Sequence, residues 1–251
     1  MNIIKTDALS KIDFIDHGFF GNQGGVSEES FESLNVGFWR GDKEENVIQN
    51  RTLIAESFGV DVSKLIILNQ KHEGTVHVID KKNVSKYEFK NEKQAATMEG
   101  DATITNLPGL LIGVNTADCA PILLADPAAK YVGAIHAGWR GAIGSVIENT
   151  IEKMKSLGCN NIITSIGPCI QKISFEVTDD ITDQVERKYI TTVKDKSFFD
   201  MQYYILEKLL KCGVKTVSKI NLDTVLNEEF FSYRRQNGEC GVQFSGIIIK
   251  E

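Results

Sequence analysis

Cys119 and His136 are the side chains in this sequence whose types and spacing best suit chemistry. Two apolar, β-rich runs, residues 121–125 and 131–136, flank a short turn containing Asp126 and Pro127. Runs of that kind between turn formers predict a hairpin of buried strands. With the loop centred near Ala128, paired residue numbers sum to about 256, so Ala120 faces His136 and Cys119 faces Ala137. A thiol and an imidazole then emerge together at the open end of the hairpin. At that range they are two parts of a zinc site or of a nucleophile–base pair.

His72, in NQKHEG, adds a second imidazole. Three protein ligands (His72, Cys119 and His136) with one tetrahedral position left open are the arrangement of catalytic zinc. Structural zinc wants a fourth residue ligand, and spacing offers no close candidate. The three are scattered along the chain, so spacing alone leaves a metal site, a cysteine nucleophile with its base, and a zinc-stabilised interaction protein all open.

The elements that must position these residues follow from periodicity. Asp42 with Glu45 predicts a capping box for a helix over 43–58, stopped by Gly59. Its apolar stripe is Val47, Ile54 and Phe58, and Arg51 falls in the middle of that stripe. An inward guanidinium needs an anion or a carboxylate, because an unpaired buried charge is costly. An internal salt bridge and a bound substrate phosphate are its two readings. Residues 64–70 predict a strand, and a second follows in 71–80. His77 within it, and His17 near the start, read as satisfied imidazoles. Residues 81–98 are polar and loop-like. GDATIT (100–105) is a turn entering a strand, with Asp101 at its mouth.

After AGWRG, apolar residues from Ile143 to Leu157 recur at helical spacing, predicting a helix over 142–157 with Gly158 as its stop. Its free N–H groups point toward the Cys119/His136 end and suit an anion. Arg140 in the same loop adds a formal charge. Residues 161–166 predict a strand, Cys169 a buried thiol, and Thr178 a cap for a short helix to about 185. A helix over 199–212 turns Met201, Ile205 and Leu209 inward before Gly213. Residues 230–250 read as strand, turn, strand. There is no repeat, linker or break in composition. The expectation is one domain over 1–251, a mixed α/β (α+β) fold with mixed sheets and flanking helices.

At 251 residues, 42% hydrophobic and 25% charged, the composition is that of an ordinary globular protein. The formal net charge of −6 and the lack of a Lys/Arg run argue against a nucleic-acid partner. No apolar segment is long enough for a signal peptide or a membrane span, so the cytoplasm is the expected compartment. Five widely spaced cysteines without a C-x-x-C read as free thiols rather than a disulfide framework.

NQKHEG, GDATIT, GVNTADCAPILLAD and AIHAGWRG, with GPCI and SFEV, closely resemble the multicopper polyphenol oxidase, or laccase-domain, family, whose members are also described as purine nucleoside phosphorylases. The likeness runs from HGFF to SYRR, nearly the whole chain. The TADC and HAGWRG blocks at their mutual spacing are its most specific part. The resemblance implies zinc on His72, Cys119 and His136, with copper possible in its place. It also implies phosphorolysis of adenosine, inosine, guanosine and methylthioadenosine, with adenosine deamination as a further activity. Members resemble a deamidating toxin domain in fold, and a role with peptidoglycan precursors attaches to bacterial relatives. The partners so implied are a small nucleoside and phosphate, with the chain a monomer or a weak homo-oligomer.

On that footing phosphorolysis needs a phosphate site, stabilisation of an oxocarbenium-like ribosyl centre and a proton for the departing purine. Arg51, Arg140 and the helix N-terminus after HAGWRG are the expected anion site. Cys119, His136 and Asp118 are the expected catalytic groups, and Asp118 or Asn35 the contact to ribose or base. The H-x-E…P-C-x-x-C pattern of other zinc deaminases is absent. Two departures from the family pattern, Asn22 in GNQGG and Cys240–Val242 near the C-terminus, stand where an Arg is common and remove positive charge. A true multicopper oxidase needs a blue-copper centre and a histidine-bound cluster, which four histidines cannot fill. Adventitious polyphenol oxidation by a single copper stays open. So does a cysteine hydrolase or amidase acting through Cys119 and His136 on a peptidoglycan precursor, with zinc as its inhibitor.

Overall fold

PILLAD and YVGAIH are apolar at consecutive positions, a pattern that suits strands covered on both faces. The computed structural model, which describes residues 1–89 and 98–251, supplies both covers. A six-stranded sheet runs β13 (Thr216–Lys219), β9 (Ile163–Ile166), β7 (Ala120–Asp126), β8 (Tyr131–Ala137), β5 (Ala102–Thr105), β4 (Val76–Ile79). A five-stranded sheet runs β1 (Ile3–Ile4), β2 (Ile15–Phe20), β14 (Gln243–Ile249), β6 (Leu111–Thr116), β3 (Leu65–Ile67). Alternation along β7 sends Leu123 and Ala125 to an apolar layer shared with Ile112 and Ile247 of the five-stranded sheet. Ile122 and Leu124 point the other way, into a layer built with Ile147, Ile151, Met154, Ile205 and Leu209.

The helices in the described residues are α1 (Asp7–Ser10), α2 (Glu44–Ser57), α3 (Trp139–Ile143), α4 (Val146–Ser156), α5 (Asp179–Thr182) and α6 (Met201–Lys211). α4 and α6 supply that outer layer on the six-stranded sheet. α2 covers the far face of the five-stranded sheet through Ile54 and Ala55, against Leu65, Leu111, Phe244 and Ile248. The order of layers is helix, sheet, sheet, helices. A small antiparallel sheet of β10 (Glu176–Val177), β12 (Lys196–Phe199) and β11 (Ile190–Val193) adds Val177, Ile190 and Phe199 to the outer cluster. The mixed α/β expectation holds.

Several local expectations are corrected. The hairpin register is one residue off, because Ala120 pairs with Ala137 and Pro121 with His136. The loop holds an even number of residues between Asp126 and Tyr131, and the Asp126 carboxylate fixes it by accepting from the backbone N–H groups of Ala128 and Ala129. The expected helix over 142–157 is interrupted between α3 and α4 at Gly144 and Ser145, leaving α3 a short helix of five residues. That is too short for the N-terminal anion site expected there. The Asp42 capping box does not form: Lys43 is the cap position of α2, while Asp42 accepts from Ser27 and Asn35. α5 ends at Thr182, and the Thr178 hydroxyl donates to the Asp180 side chain rather than capping the backbone. Residues 230–242 form turns, so β14 is the single strand of the tail. In the polar stretch 81–98, residues 84–86 make a 3-10 turn, and 90–97 lie outside the described residues.

Candidate metal centre and its cavity

Strand pairing brings the first two parts together. His136 is next to last in β8, and Asp101 immediately precedes β5, the antiparallel neighbour of β8. The His136 backbone N–H donates to the Asp101 carbonyl at 2.7 Å, and its ring Nδ1 meets Asp101 Oδ1 at 2.7 Å. The same carboxylate accepts from the backbone N–H groups of Lys71, His72 and Glu73 at 3.2, 3.0 and 2.8 Å. One buried carboxylate thus orients the His136 ring and clamps the loop that carries His72. That clamp matters because His72 sits at φ +61°, a left-handed conformation that non-glycine residues seldom adopt.

Cys119 lies just before β7, after Asp118 at φ +81° in the turn from β6. Asp118 accepts from the Thr224 hydroxyl at 2.6 Å and from the Arg234 backbone N–H at 2.7 Å. The ligand atoms of His72, Cys119 and His136 all lie within 4.8 Å of one another. The imidazoles meet edge to face with centroids 4.7 Å apart. A Cβ on Gly138 would sit 2.6 Å from His72 Nδ1 and 3.0 Å from Cys119 Sγ, so only glycine leaves the donors room.

Burial alone would push the Cys119 thiol up, but His136 and His72 beside it bring it down to about 6. For His136, burial alone would lower the imidazole, while Cys119 and Asp101 raise it to about 9. Burial likewise opposes ionisation of Asp101, and its bond to His136 with the clamped backbone N–H groups holds it below the usual carboxylate range. A stabilised thiolate beside two imidazoles, one with its far nitrogen anchored to a carboxylate, is the donor set zinc takes. The residues present fit such an ion.

The triad opens on a cavity of about 870 Å³. Arg140 lies on its wall, its guanidinium 4.2 Å from the Trp139 ring centroid. Asp118 lines it too, while also tying down the tail. Arg51 and Asn35 are not in the cavity lining. Arg51 is fully buried as its helical position requires, but the expected anionic partner is absent from the described residues. Its Nε donates to the Val36 carbonyl at 2.9 Å, and its guanidinium stacks 4.3 Å from the Phe38 ring and 5.5 Å from Phe89. Burial lowers it to about 9. Asn35 is consumed internally: Oδ1 accepts from Gly37 and Val242, and Nδ2 donates to Asp42. It shapes the wall without facing it.

Asp101, Arg40 and Arg234 are the residues the sequence reading left unassigned. The two arginines line the cavity with exposed Trp39 and Tyr233. FWRGD and SYRR carried them, but in loops whose placement periodicity does not reveal. Asn22 is buried away from the cavity lining, donating to the Glu228 carbonyl, whereas Val242 lines it. His17 and His77 are satisfied, His17 by Thr6 and His77 by Tyr87 and the Glu99 carbonyl. Cys169 is buried, and burial pushes its thiol up.

Fold and centre together define a mixed α/β protein with a thiolate–imidazole triad at the edge of a large cavity. Residues 16–250 match the model of the family described as multi-copper polyphenol oxidoreductase laccase, and the chain belongs to that family. A purine nucleoside phosphorylase of Corynebacterium glutamicum is 33% identical over 90% of this chain and 90% of its own length. An adenosine deaminase from an unknown prokaryotic organism, RL5, is 30% identical over 96% and 99%. The crystal structure of YlmD from Geobacillus stearothermophilus superposes with a TM-score of 0.88 at 25% identity, covering 96% of this chain and 93% of that one. Among the described residues His72, Cys119 and His136 are the one group of three such donors placed to share an ion, and the other two histidines are engaged elsewhere. Among the described residues no second group of donors is assembled, so a multicopper set lacks its further ligands there. No helix in the described residues is long and apolar enough to cross a membrane.

Proposed function

We propose that this chain is a zinc-dependent purine nucleoside phosphorylase, acting on adenosine, inosine, guanosine and methylthioadenosine, with adenosine deaminase activity. The observation that carries this reading is one cavity lined by the donor triad, by Arg40, Arg140 and Arg234, and by exposed aromatic faces. Support also comes from relatives named purine nucleoside phosphorylase and adenosine deaminase.

In phosphorolysis a phosphate oxygen bonds to the ribosyl C1′ as the C1′–N9 bond breaks. The purine leaves with the electron pair and takes up the proton that hydrogen phosphate gives up as it becomes the sugar ester. Arg40, Arg140 and Arg234 hold the phosphate and offset charge as it shifts. Trp39 and Tyr233 present exposed faces on which a base can stack. Each Asp118 oxygen accepts one bond within the protein, which leaves lone pairs for ribose hydroxyls. His72, Cys119 and His136 would hold the ion, and Asp101 keeps the His136 ring turned toward it. Bound there, zinc supplies the Lewis acidity that water attack at purine C6 requires in deamination. Copper can occupy the same donors, so the metal in the isolated protein is to be identified by elemental analysis.

The test is metal-quantified protein incubated with adenosine, with and without phosphate, resolving adenine from inosine. Adenine that requires phosphate supports phosphorolysis, and inosine formed regardless of phosphate supports deamination. Failure to form either product sinks the reading.

A second reading rests on Asp101. Cys119, His136 and Asp101 form a nucleophile, base and orienting carboxylate of the kind cysteine hydrolases use. In that reading the chain is an amidase on a peptidoglycan precursor and zinc inhibits it. Stripping the metal would then raise activity, the opposite of the outcome for a zinc deaminase.

A further inference from the structure

Five buried side-chain oxygens in the described residues have no hydrogen-bond partner: those of Thr103, Asn115, Thr116, Glu148 and Thr164. Leaving such an atom unpaired is costly, so each needs a reason. Asn115 and Thr116 are neighbours at the end of β6, and both line the cavity that holds the triad, which the other three do not. The backbone under them is not loose. Gln70 donates from Nε2 to the Asn115 carbonyl at 2.7 Å and accepts from the Asn115 N–H at 2.7 Å. Gln70 therefore spends its carboxamide on holding the strand end in place, and the Asn115 Oδ1 acceptor is left over. Asn115 and Thr116 also pair with Phe244 and Gln243 of β14, which fixes their register.

We propose that the end of β6 is the subsite that reads the purine edge, with the Asn115 carboxamide selecting a 6-amino over a 6-oxo purine; this rests on the nucleoside reading above. A carboxamide matches adenine bidentately, its oxygen accepting from the exocyclic 6-amino group and its nitrogen donating to N7. A 6-oxo group sets an acceptor against the Asn115 oxygen and leaves that atom unpaired, which penalises inosine and guanosine. Thr116, with a hydroxyl that can donate or accept, suits either class and marks the strand end as ligand-facing.

The test measures kcat/KM for phosphorolysis of adenosine and of inosine, with equilibrium dialysis of both nucleosides, for the unaltered zinc-loaded protein, Asn115→Ala and Asn115→Asp. Thermal melts check that each variant is folded. The unaltered protein favours adenosine by about 10- to 100-fold. Asn115→Ala removes that advantage: adenosine falls by about 10- to 100-fold, while inosine, which loses only the bond to N7, falls less. Asn115→Asp, nearly isosteric but acceptor-only, keeps a partner for the 6-amino group while setting a carboxylate oxygen against N7, so both nucleosides fall and inosine falls about 10-fold further. Phosphorolysis with no adenosine preference, or with the same ratio in all three proteins, overturns the subsite and leaves the nucleoside reading standing. No binding and no turnover of either nucleoside by the unaltered protein overturns both.

Discussion

The Nδ1 of His136 meets Oδ1 of Asp101 at 2.7 Å with both side chains nearly sealed from solvent, while the same carboxylate takes the backbone N–H groups around His72. Two of the three donors therefore depend on one residue that contributes no ligand atom itself. Asp101→Ala is expected to weaken metal affinity by about 10- to 100-fold, read by competition with a chelator of known affinity. The melting temperature should fall with it, because three backbone donors lose their partner. Unchanged metal affinity would show that the clamp does not orient the ligands.

The arginines divide into two kinds. Arg40, Arg140 and Arg234 line the cavity, while Arg51 is buried on the inner face of α2 against Phe38. Alanine at any of the first three is expected to raise KM for phosphate about 10-fold with little change in stability. Arg51→Ala should leave that KM alone and destabilise the fold by about 2–4 kcal/mol through lost packing. Phosphate kinetics and urea unfolding on the four variants separate the two behaviours. A raised phosphate KM in folded Arg51→Ala alone would return Arg51 to the anion site.

Cys119 and His136 were legible because one local hairpin holds both, and a register error of one residue did not move either from its open end. Arg51 was legible in direction, since helical periodicity fixes which face it occupies. Its company was not, because Phe38 and Phe89 come from segments with no period to read. Asp101 was visible at the mouth of a strand, yet its role needs β5 beside β8, a pairing that no local pattern announces. Arg40 and Arg234 reach the cavity from turns, and Asn35 looked available only because its partners, Gly37, Asp42 and Val242, are contributed by the folded chain. The layer order escaped notice too, although the unbroken apolar run in β7 already implied two covered faces.

Zinc should stabilise the protein if it binds the folded triad. At a free concentration one hundred times its dissociation constant, the gain is about 2.7 kcal/mol. A melt of the chelated protein with and without added zinc should show the shift. His72→Ala and Cys119→Ala should each lose it, along with near-stoichiometric zinc by elemental analysis. A shift that survives in both variants would place the ion elsewhere.

His17 predicts a pH dependence independent of the metal. It is buried in β2, where its Nε2 accepts from the Thr6 backbone N–H at 2.9 Å, a bond only the neutral ring can make. Burial lowers its pKa from 6.5 to about 4, against a smaller opposing pull from Asp16. In the unfolded chain the ring takes up its proton near 6.5, so between those values the unfolded state binds more protons than the folded one. Stability from this group is therefore complete above about 6.5 and is lost as pH falls toward 4, by up to about 1.4 kcal/mol per pH unit. Urea midpoints measured from pH 7 to 4.5 should fall accordingly. His17→Gln, which keeps an acceptor but does not titrate, should flatten the slope while lowering stability at pH 7. An equally steep slope in His17→Gln would assign the acid sensitivity to other groups.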